Sequence, residues 1–269
     1  MTMKKLTIAL LALMLALLCC TAMADTVVIT LDDSGITGAT SGCSVDGSVL
    51  TITSPGEYIL SGSLSNGSVV VNCAAEGKID LLLNGVDIHN ESGSAIRVEK
   101  ASPRVTLQLM EGTVNKLSCG EAYTFVKDNE PNAVVFSRSD LTITGEGTLS
   151  VDAAVLDGIA SKDDLRIKSG SITVNAARHG LRGKDCVEIT DGTITVIAGK
   201  DGIRSTNDKT NTKGYVSITG GKVTIVCGDD PITAITGITV ENATVNATIK
   251  GDKSAKTEEG STTLLTPAE

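Results

Sequence analysis

The chain has 269 residues and a formal net charge of −9, with 23 Lys and Arg against 32 Asp and Glu. That balance excludes a nucleic-acid binder, which needs a basic footprint to displace counterions from phosphate. Trp is absent and only two Phe and three Tyr are present, so any core must be aliphatic.

Residues 1–24 read as a leader. Lys4 and Lys5 precede an apolar run from Leu6 to Leu18, and Ala22-Met23-Ala24 is a small-residue exit. A charged start, a short apolar stretch and such an exit predict a secretory signal peptide rather than a membrane span. Cleavage after Ala24 makes Asp25 the mature N-terminus and the protein secreted or held at the cell surface. Lipid anchoring at Cys20 is the less favoured alternative, because Leu17-Leu18-Cys19 is a poor preceding motif. No later stretch is long and apolar enough to span a bilayer. Loss of two lysines leaves 21 basic against 32 acidic residues, a net charge of −11.

Residues 25–250 read as one domain. Its first part, 25–75, alternates as strands (VVITL, VLTITS, EYILSG, VVVN) and is predicted to form the N-terminal cap and first coils. Further on, an apolar residue opens a strand at Ile79, Val105, Leu141, Leu165, Val187, Val216 and Ile238, at steps of 26, 36, 24, 22, 29 and 22 residues. The excess length lies near 111–133 and 206–213, two polar stretches predicted to be loops extruded from single coils. Residues 157–167 (DGIASKDDLRI), 179–189 (HGLRGKDCVEI) and 201–208 (DGIRSTND) repeat at 22 residues. A second register runs in phase, Gly170-Ser-Ile-Thr-Val, Gly192-Thr-Ile-Thr-Val and Gly221-Lys-Val-Thr-Ile. Ile159, then Leu165 and Ile167, then Ile172 and Val174 give three short strands per repeat. A fixed period of this length marks a solenoid whose coils bury their apolar faces against each other. The fold class predicted is all-β, a right-handed parallel β-helix with about 22 residues per coil and coils stacked at roughly 4.8 Å. The tail, 251–269, is polar and lies outside it.

The segments LLLNGVDIHN (81–90), SDLTITGEGTLSV (139–151) and the three DGI-type repeats resemble a bacterial extracellular carbohydrate-binding β-helix family related in fold to pectate lyases. The resemblance covers the chain from about Val27 to Ile249. It implies a pectate-lyase-like β-helix, bound calcium and binding of plant-type polysaccharide including polygalacturonate. Two departures stand out: His179 occupies a position where the pattern has Asp, and Asp230-Pro231 replaces Asp-Gly.

Stacking places equivalent residues in columns. Asp157, His179, Asp201 and Asp230 form one; Asp163, Asp185 and Asn207 form another. Like charges one coil apart repel by about 1 kcal/mol even in water, so a carboxylate column calls for a neutralising partner. Calcium, which takes carboxylate and carbonyl oxygens in irregular geometry, is the cofactor predicted, with Asp157, Asp163, Asp185, Asp201, Asn207 and Asp230 as its ligands. Asp and Asn also suit turns on their own account, and Asp-Gly eases a positive φ. Arg97, Arg182 and Arg204 share a third column, with Arg138, Lys162 and Lys184 in a fourth two residues on. Both face outward by parity with Ile159. These six are the predicted ligand contacts, pairing with carboxylates of an acidic polysaccharide, although they could equally neutralise the neighbouring Asp columns.

Aromatic scarcity favours charge and calcium bridging over stacking on crystalline cellulose, with Tyr123 and Phe125 as a small possible platform. No catalytic residue is assigned. The R-x-P-x-x-R signature of pectate lyases is missing, and Ser102-Pro103-Arg104 does not match it. A calcium-dependent polysaccharide lyase and a structural or adhesive surface β-helix are the two alternatives to a binding protein. Of the five mature cysteines, Cys227 shares a repeat position with Ala176 and Ala198 and reads as a small core residue. A Cys43–Cys73 bridge is conceivable; Cys119 and Cys186 have no assigned partner, and there is no Cys/His zinc spacing.

Overall fold

The computed structural model describes residues 26–123 and 131–250, together with the strand Thr262–Thr263. The leader, Phe125 and the rest of the tail lie outside the described residues.

Among those residues every regular element is a strand and none is a helix. The strands fall into three rows, taken in turn by each repeat. The first row includes Ile96–Ser102, Ala133–Ser137, Asp157–Ser161, Leu181–Gly183, Ile203–Ser205 and Ile232–Ala234. The second runs through Arg104–Leu109, Asp140–Gly145, Asp164–Ile167, Cys186–Ile189, Tyr215–Ile218 and Gly237–Val240. Val114–Cys119, Thr148–Ala153, Ser171–Ala176, Thr193–Ala198, Lys222–Cys227 and Thr244–Ile249 make the third. Within a row each strand pairs in parallel with the next, so the chain curls into a solenoid rather than an open sheet.

The register follows the apolar beat of the sequence. Ile79 opposes Val105, Val105 opposes Leu141, and the series continues through Leu165, Val187, Val216 and Ile238. Alternation then sends every second side chain inward. Ile172, Val174, Ile194, Val196, Val223 and Ile225 are all buried, while Ser171, Thr173, Thr193 and Thr195 face out. Each such Val or Ile contributes about 1.5–3 kcal/mol when withdrawn from water.

A long strand, Ile79–Asn90, joins two rows. Its first half pairs with Val105–Leu109 and its second with Lys116–Cys119. The bend between them falls at Gly85, whose φ of 78° is left-handed and suits glycine. The fully buried Asn115 satisfies the amides that this bend frees. Its Oδ1 accepts from Gly85 N at 2.9 Å and Val86 N at 3.1 Å, and its Nδ2 donates to Thr148 O at 3.1 Å.

Before the regular rows, Val27–Leu31 pairs in parallel with Tyr58–Gly62, and Cys43–Asp46 forms an antiparallel hairpin with Val49–Ile52. At the other end Thr262–Thr263 pairs antiparallel to Thr233 and Ala234. No helix among the described residues is long and apolar enough to cross a membrane.

Of the seven cysteines, the five among the described residues are free thiols, Cys43 half-buried and the others buried, so no Cys43–Cys73 bridge is present. Cys227 sits in the core, the place its repeat position indicates. Tyr123 does not supply a surface platform. It is buried, and its hydroxyl lies 3.0 Å from Ser94 Oγ.

Candidate functional site

The DGI repeats build the corner where the third row passes into the first. Gly158, Gly180 and Gly202 do not have the positive φ that an Asp-Gly turn would suggest; the left-handed glycines are Gly170, Gly192 and Gly221 of the second register. The first set is glycine for lack of room. A Cβ on Gly158 would lie 2.2 Å from Val174 Cγ1, and one on Gly180 would lie 2.1 Å from Val196 Cγ1. This close approach lets the corner fold tightly over the core.

The same corner stacks Asp157, His179, Asp201 and Asp230 coil on coil. Gly158 N donates to His179 O at 3.0 Å, Gly180 N to Asp201 O at 3.1 Å, and Gly202 N to Asp230 O at 2.9 Å. Asp157, His179 and Asp201 are buried, and cationic groups surround them. Arg182 Nε lies 3.1 Å from Asp157 Oδ2, Arg178 Nε 3.8 Å from Asp157 Oδ1, and Arg204 Nη1 2.7 Å from Asp201 Oδ2. His179 bridges the two carboxylates. Its backbone N–H donates to Asp157 Oδ1 at 3.3 Å and its Nδ1 is 3.4 Å from Asp201 Oδ2. Burial holds the His179 imidazole below its usual pKa, against the pull of Asp157 and Asp201. Asp230 is half-buried and donates its backbone N–H to Asp201 Oδ1 at 3.3 Å.

The basic residues stack as their spacing indicates. Arg97 opposes Phe136, Phe136 opposes Ala160, and Ala160, Arg182 and Arg204 follow in register. Backbone bonds from Lys162 N to Ser137 O and from Lys184 N to Ser161 O carry the neighbouring column. Most of these cations already face carboxylates. Arg97 and Arg138 share Glu99, at 3.0 and 2.8 Å, and Arg138 also lies 5.4 Å from the Phe136 ring centroid. Arg182 and Arg204 belong to the Asp157 and Asp201 pairs above. Lys184 is exposed; among the described residues its side chain makes no hydrogen bond or close ion pair, though its charge favours the ionised Asp185 and Asp208.

Asp163, Asp185 and Asn207 meet at the next corner, between the first and second rows. Asp185 N donates to Asp163 O at 3.1 Å, and Asn207 Nδ2 donates to Asp185 Oδ1 at 2.5 Å. Lys213 Nζ closes on Asp185 Oδ2. Burial would raise the Asp185 carboxyl, but the bonds from Lys213 and Asn207 outweigh it and hold it below the usual range. Among the described residues the Asp163 carboxylate makes no hydrogen bond or close ion pair, and burial, then Asp185 and Asp140, push its pKa up against the pull of Lys213.

Sequence reasoning passed over two contributors here. Lys213 comes from the extruded 206–213 loop, outside the repeat. Arg166, on the second row, bonds Asp140 at 3.1 Å, Glu188 at 2.8 Å and also Asp164, and Glu188 accepts from Tyr215 Oη at 2.6 Å. The signal for the Arg166–Glu188 pair was available, because the two lie 22 residues apart in one outward column.

Residues 46–266 match the family described as "Carbohydrate-binding domain-containing protein". A carbohydrate-binding domain-containing protein of Acetivibrio thermocellus is 44% identical over 219 residues, 81% of this chain and 76% of that one. A solved structure described as the polysaccharide lyase-like protein from C. thermocellum, a gadolinium derivative, superposes with a TM-score of 0.79 at 37% identity, covering 82% of this chain and 90% of that one. The stacked parallel rows and these matches agree, and the chain belongs to the carbohydrate-binding domain family with a polysaccharide-lyase-like fold.

Proposed function

We propose that this chain is an exported, calcium-using binding protein for an acidic plant-type polysaccharide such as polygalacturonate, with cellulose as a weaker candidate. On this reading the solenoid is right-handed with coils of about 22 residues, and residues 1–24 direct export. The observation that carries the proposal is a basic ladder on an acidic chain. Arg97, Arg182 and Arg204 stack in one column and Arg138, Lys162 and Lys184 in the next. Each guanidinium has five N–H donors, so pairing with Glu99, Asp157 or Asp201 leaves donors for a ligand carboxylate. Exposed Lys184 adds a further cation, close enough to Asp185 and Asp208 to favour their charged forms.

For calcium, the two acidic columns differ. Asp163, Asp185 and Asn207 offer oxygens to a hard cation, since burial and the nearby Asp185 and Asp140 raise the cost of the Asp163 charge more than Lys213 offsets it. At Asp157 and Asp201 the guanidinium groups of Arg178, Arg182 and Arg204 already supply compensating charge, and a cation would have to displace them, whereas at Asp185 it would have to displace only Lys213. When bound, calcium would neutralise the second column and could bridge to uronate carboxylates. The solved neighbour is a gadolinium derivative, and gadolinium, like calcium, is a hard cation that takes oxygen ligands.

A second reading, a calcium-dependent lyase, draws on that neighbour's description as polysaccharide lyase-like. One experiment separates the two: a glycan array with and without chelator, with an ultraviolet assay for unsaturated uronates. The proposal expects polygalacturonate binding that falls with chelator and with salt, because exposed charges are screened beyond about 10 Å at 0.1 M. Salt- and chelator-independent binding would overturn it, and unsaturated product would promote the lyase.

A further inference from the structure

The corner between the third and first rows carries an open trough of about 380 Å³. That volume lies in the range of ligand pockets, which are mostly apolar with a few placed polar groups. Two outward columns line it. One is Asp152, Asn175 and Ile197, whose register column continues beyond the trough lining into Val226 and Thr248. The other, two residues on, is Ala154, Ala177, Gly199, Gly228 and Lys250. At roughly 4.8 Å per coil, four steps make the trough about 19 Å long, parallel to the solenoid axis.

Its shape is built from the backbone up. A Cβ on Gly199 would sit 2.2 Å from Ala177 O, and one on Gly228 would sit 2.2 Å from Gly199 O. The stacked turns therefore accept nothing larger, and the small column stays low beside the strand column. The network of Asp157, His179, Asp201 and their arginines lies just beyond these turns and braces them. On the floor Ile197 is 37% exposed, in a position where Asp152 and Asn175 are polar in earlier coils. Among the described residues the side chains of Asp152, Asn175 and Lys250 have no hydrogen-bond or ion-pair partner, whereas Arg138, Arg182 and Arg204 of the ladder are engaged.

We propose that this trough holds a single uncharged glycan chain, laid along the solenoid axis. The lining has one acid at one end, one base at the other and no charge between them, which suits a neutral occupant better than a polyuronate. Ile197 offers an aliphatic surface to the C–H face of a sugar ring, and Asp152, Asn175 and Lys250 offer bonds to hydroxyls at its edges. An extended sugar chain is itself a one-dimensional repeat, and so matches a trough whose contacts recur coil by coil. The strand backbones here are already paired in their row, so an added peptide strand would find no free edge. This site lies on a different corner from the second acidic column. It rests on membership of the carbohydrate-binding family but not on the acidic-glycan reading.

The test is calorimetric titration with cellohexaose and, separately, with oligogalacturonate. Ile197→Asp puts a charge on the floor and Ala177→Arg fills the trough; both positions are exposed, so both variants are expected to melt as wild type. Each is expected to weaken cellohexaose binding about tenfold or more while leaving oligogalacturonate binding unchanged. Absence of cellohexaose binding by the wild type, with oligogalacturonate bound, overturns this inference alone. Undiminished binding by both variants overturns it too, and loss of oligogalacturonate binding in Ile197→Asp overturns the separation of the two sites.

Discussion

Replacing Arg182 with Ala tests whether the basic ladder is a ligand surface or an internal brace. Outward parity alone would make the change harmless to folding. The structure argues otherwise, because the Asp157 side chain is 0% exposed and that of Arg182 only 18%. An exposed pair is worth about 0–1 kcal/mol, but removing one member of a buried pair costs roughly 3–5 kcal/mol, since a charge is left without its partner. Two contacts soften the loss: Arg178 Nε stays 3.8 Å from Asp157 and the His179 amide stays 3.3 Å away. The expected cost is therefore near the lower bound, about 3 kcal/mol, which in a domain of this size lowers the melting temperature by roughly 6–12 °C. Urea unfolding of Arg182→Ala, Asp157→Leu with Arg182→Met, and wild type would measure it. The double variant, having no orphaned charge, should recover most of the loss. An Arg182→Ala chain that melts with the wild type, yet no longer binds oligogalacturonate, would refute this reasoning and return Arg182 to the ligand.

Three further outcomes follow from local geometry. Gly180→Ala should destabilise by about 1–3 kcal/mol through overpacking, because its Cβ would lie 2.1 Å from Val196 Cγ1; adding Val196→Ala should partly restore the urea midpoint. Asp163→Asn should raise the melting temperature without calcium, since the carboxylate lost is one whose neighbours disfavour its charge. It should also shrink the gain that calcium gives the wild type, read by scanning calorimetry with calcium and with chelator. Tyr58, buried with its hydroxyl 2.9 Å from Ser54 O, has its pKa pushed up to about 12 by burial and then by nearby Cys43 and Cys73. The folded chain keeps that proton when the unfolded chain has released it, so stability falls as pH rises from about 10 to 12. Alkaline melts of Tyr58→Phe should lack that part of the fall.

The rows and their register were legible because parallel stacking preserves repeat position. Once Leu165 and Val187 are seen as equivalent, their pairing follows, and so do the columns of Arg182 with Arg204 and Asp163 with Asp185. What the spacing did not carry was direction at the corners. Asp157 opens its strand and Asp201 lies just before the next, at the corner where period two no longer says which way a side chain points, and both turn into a buried network. The role of Gly158 and Gly180 depends on how closely the first row approaches Val174 and Val196 of the third, a distance between rows that no pattern along one strand encodes. Lys213 was hidden for a different reason. It belongs to an insertion, so no equivalent position in another coil points to it.

A solenoid multiplies single choices, and this explains why neighbouring stripes of one corner can differ so sharply. A residue type fixed at one repeat position becomes a column about 4.8 Å per step, so Ala177, Gly199 and Gly228 make a trough while His179 and Asp201, two positions after the first two, make an ionic brace. His179 shows what one departure does. With Asp there, four carboxylates, at 157, 179, 201 and 230, would stack at consecutive coils and repel. The neutral imidazole separates Asp157 from Asp201, and Arg182 and Arg204 supply the compensating charge. The column is thereby neutralised from within the protein, by Arg182 at Asp157 and Arg204 at Asp201. Putting Asp back at 179 should therefore lower the melting temperature in chelator and make that column respond to calcium. A His179→Asp chain whose stability is the same with and without calcium, and equal to the wild type in chelator, would show that the imidazole plays no such part.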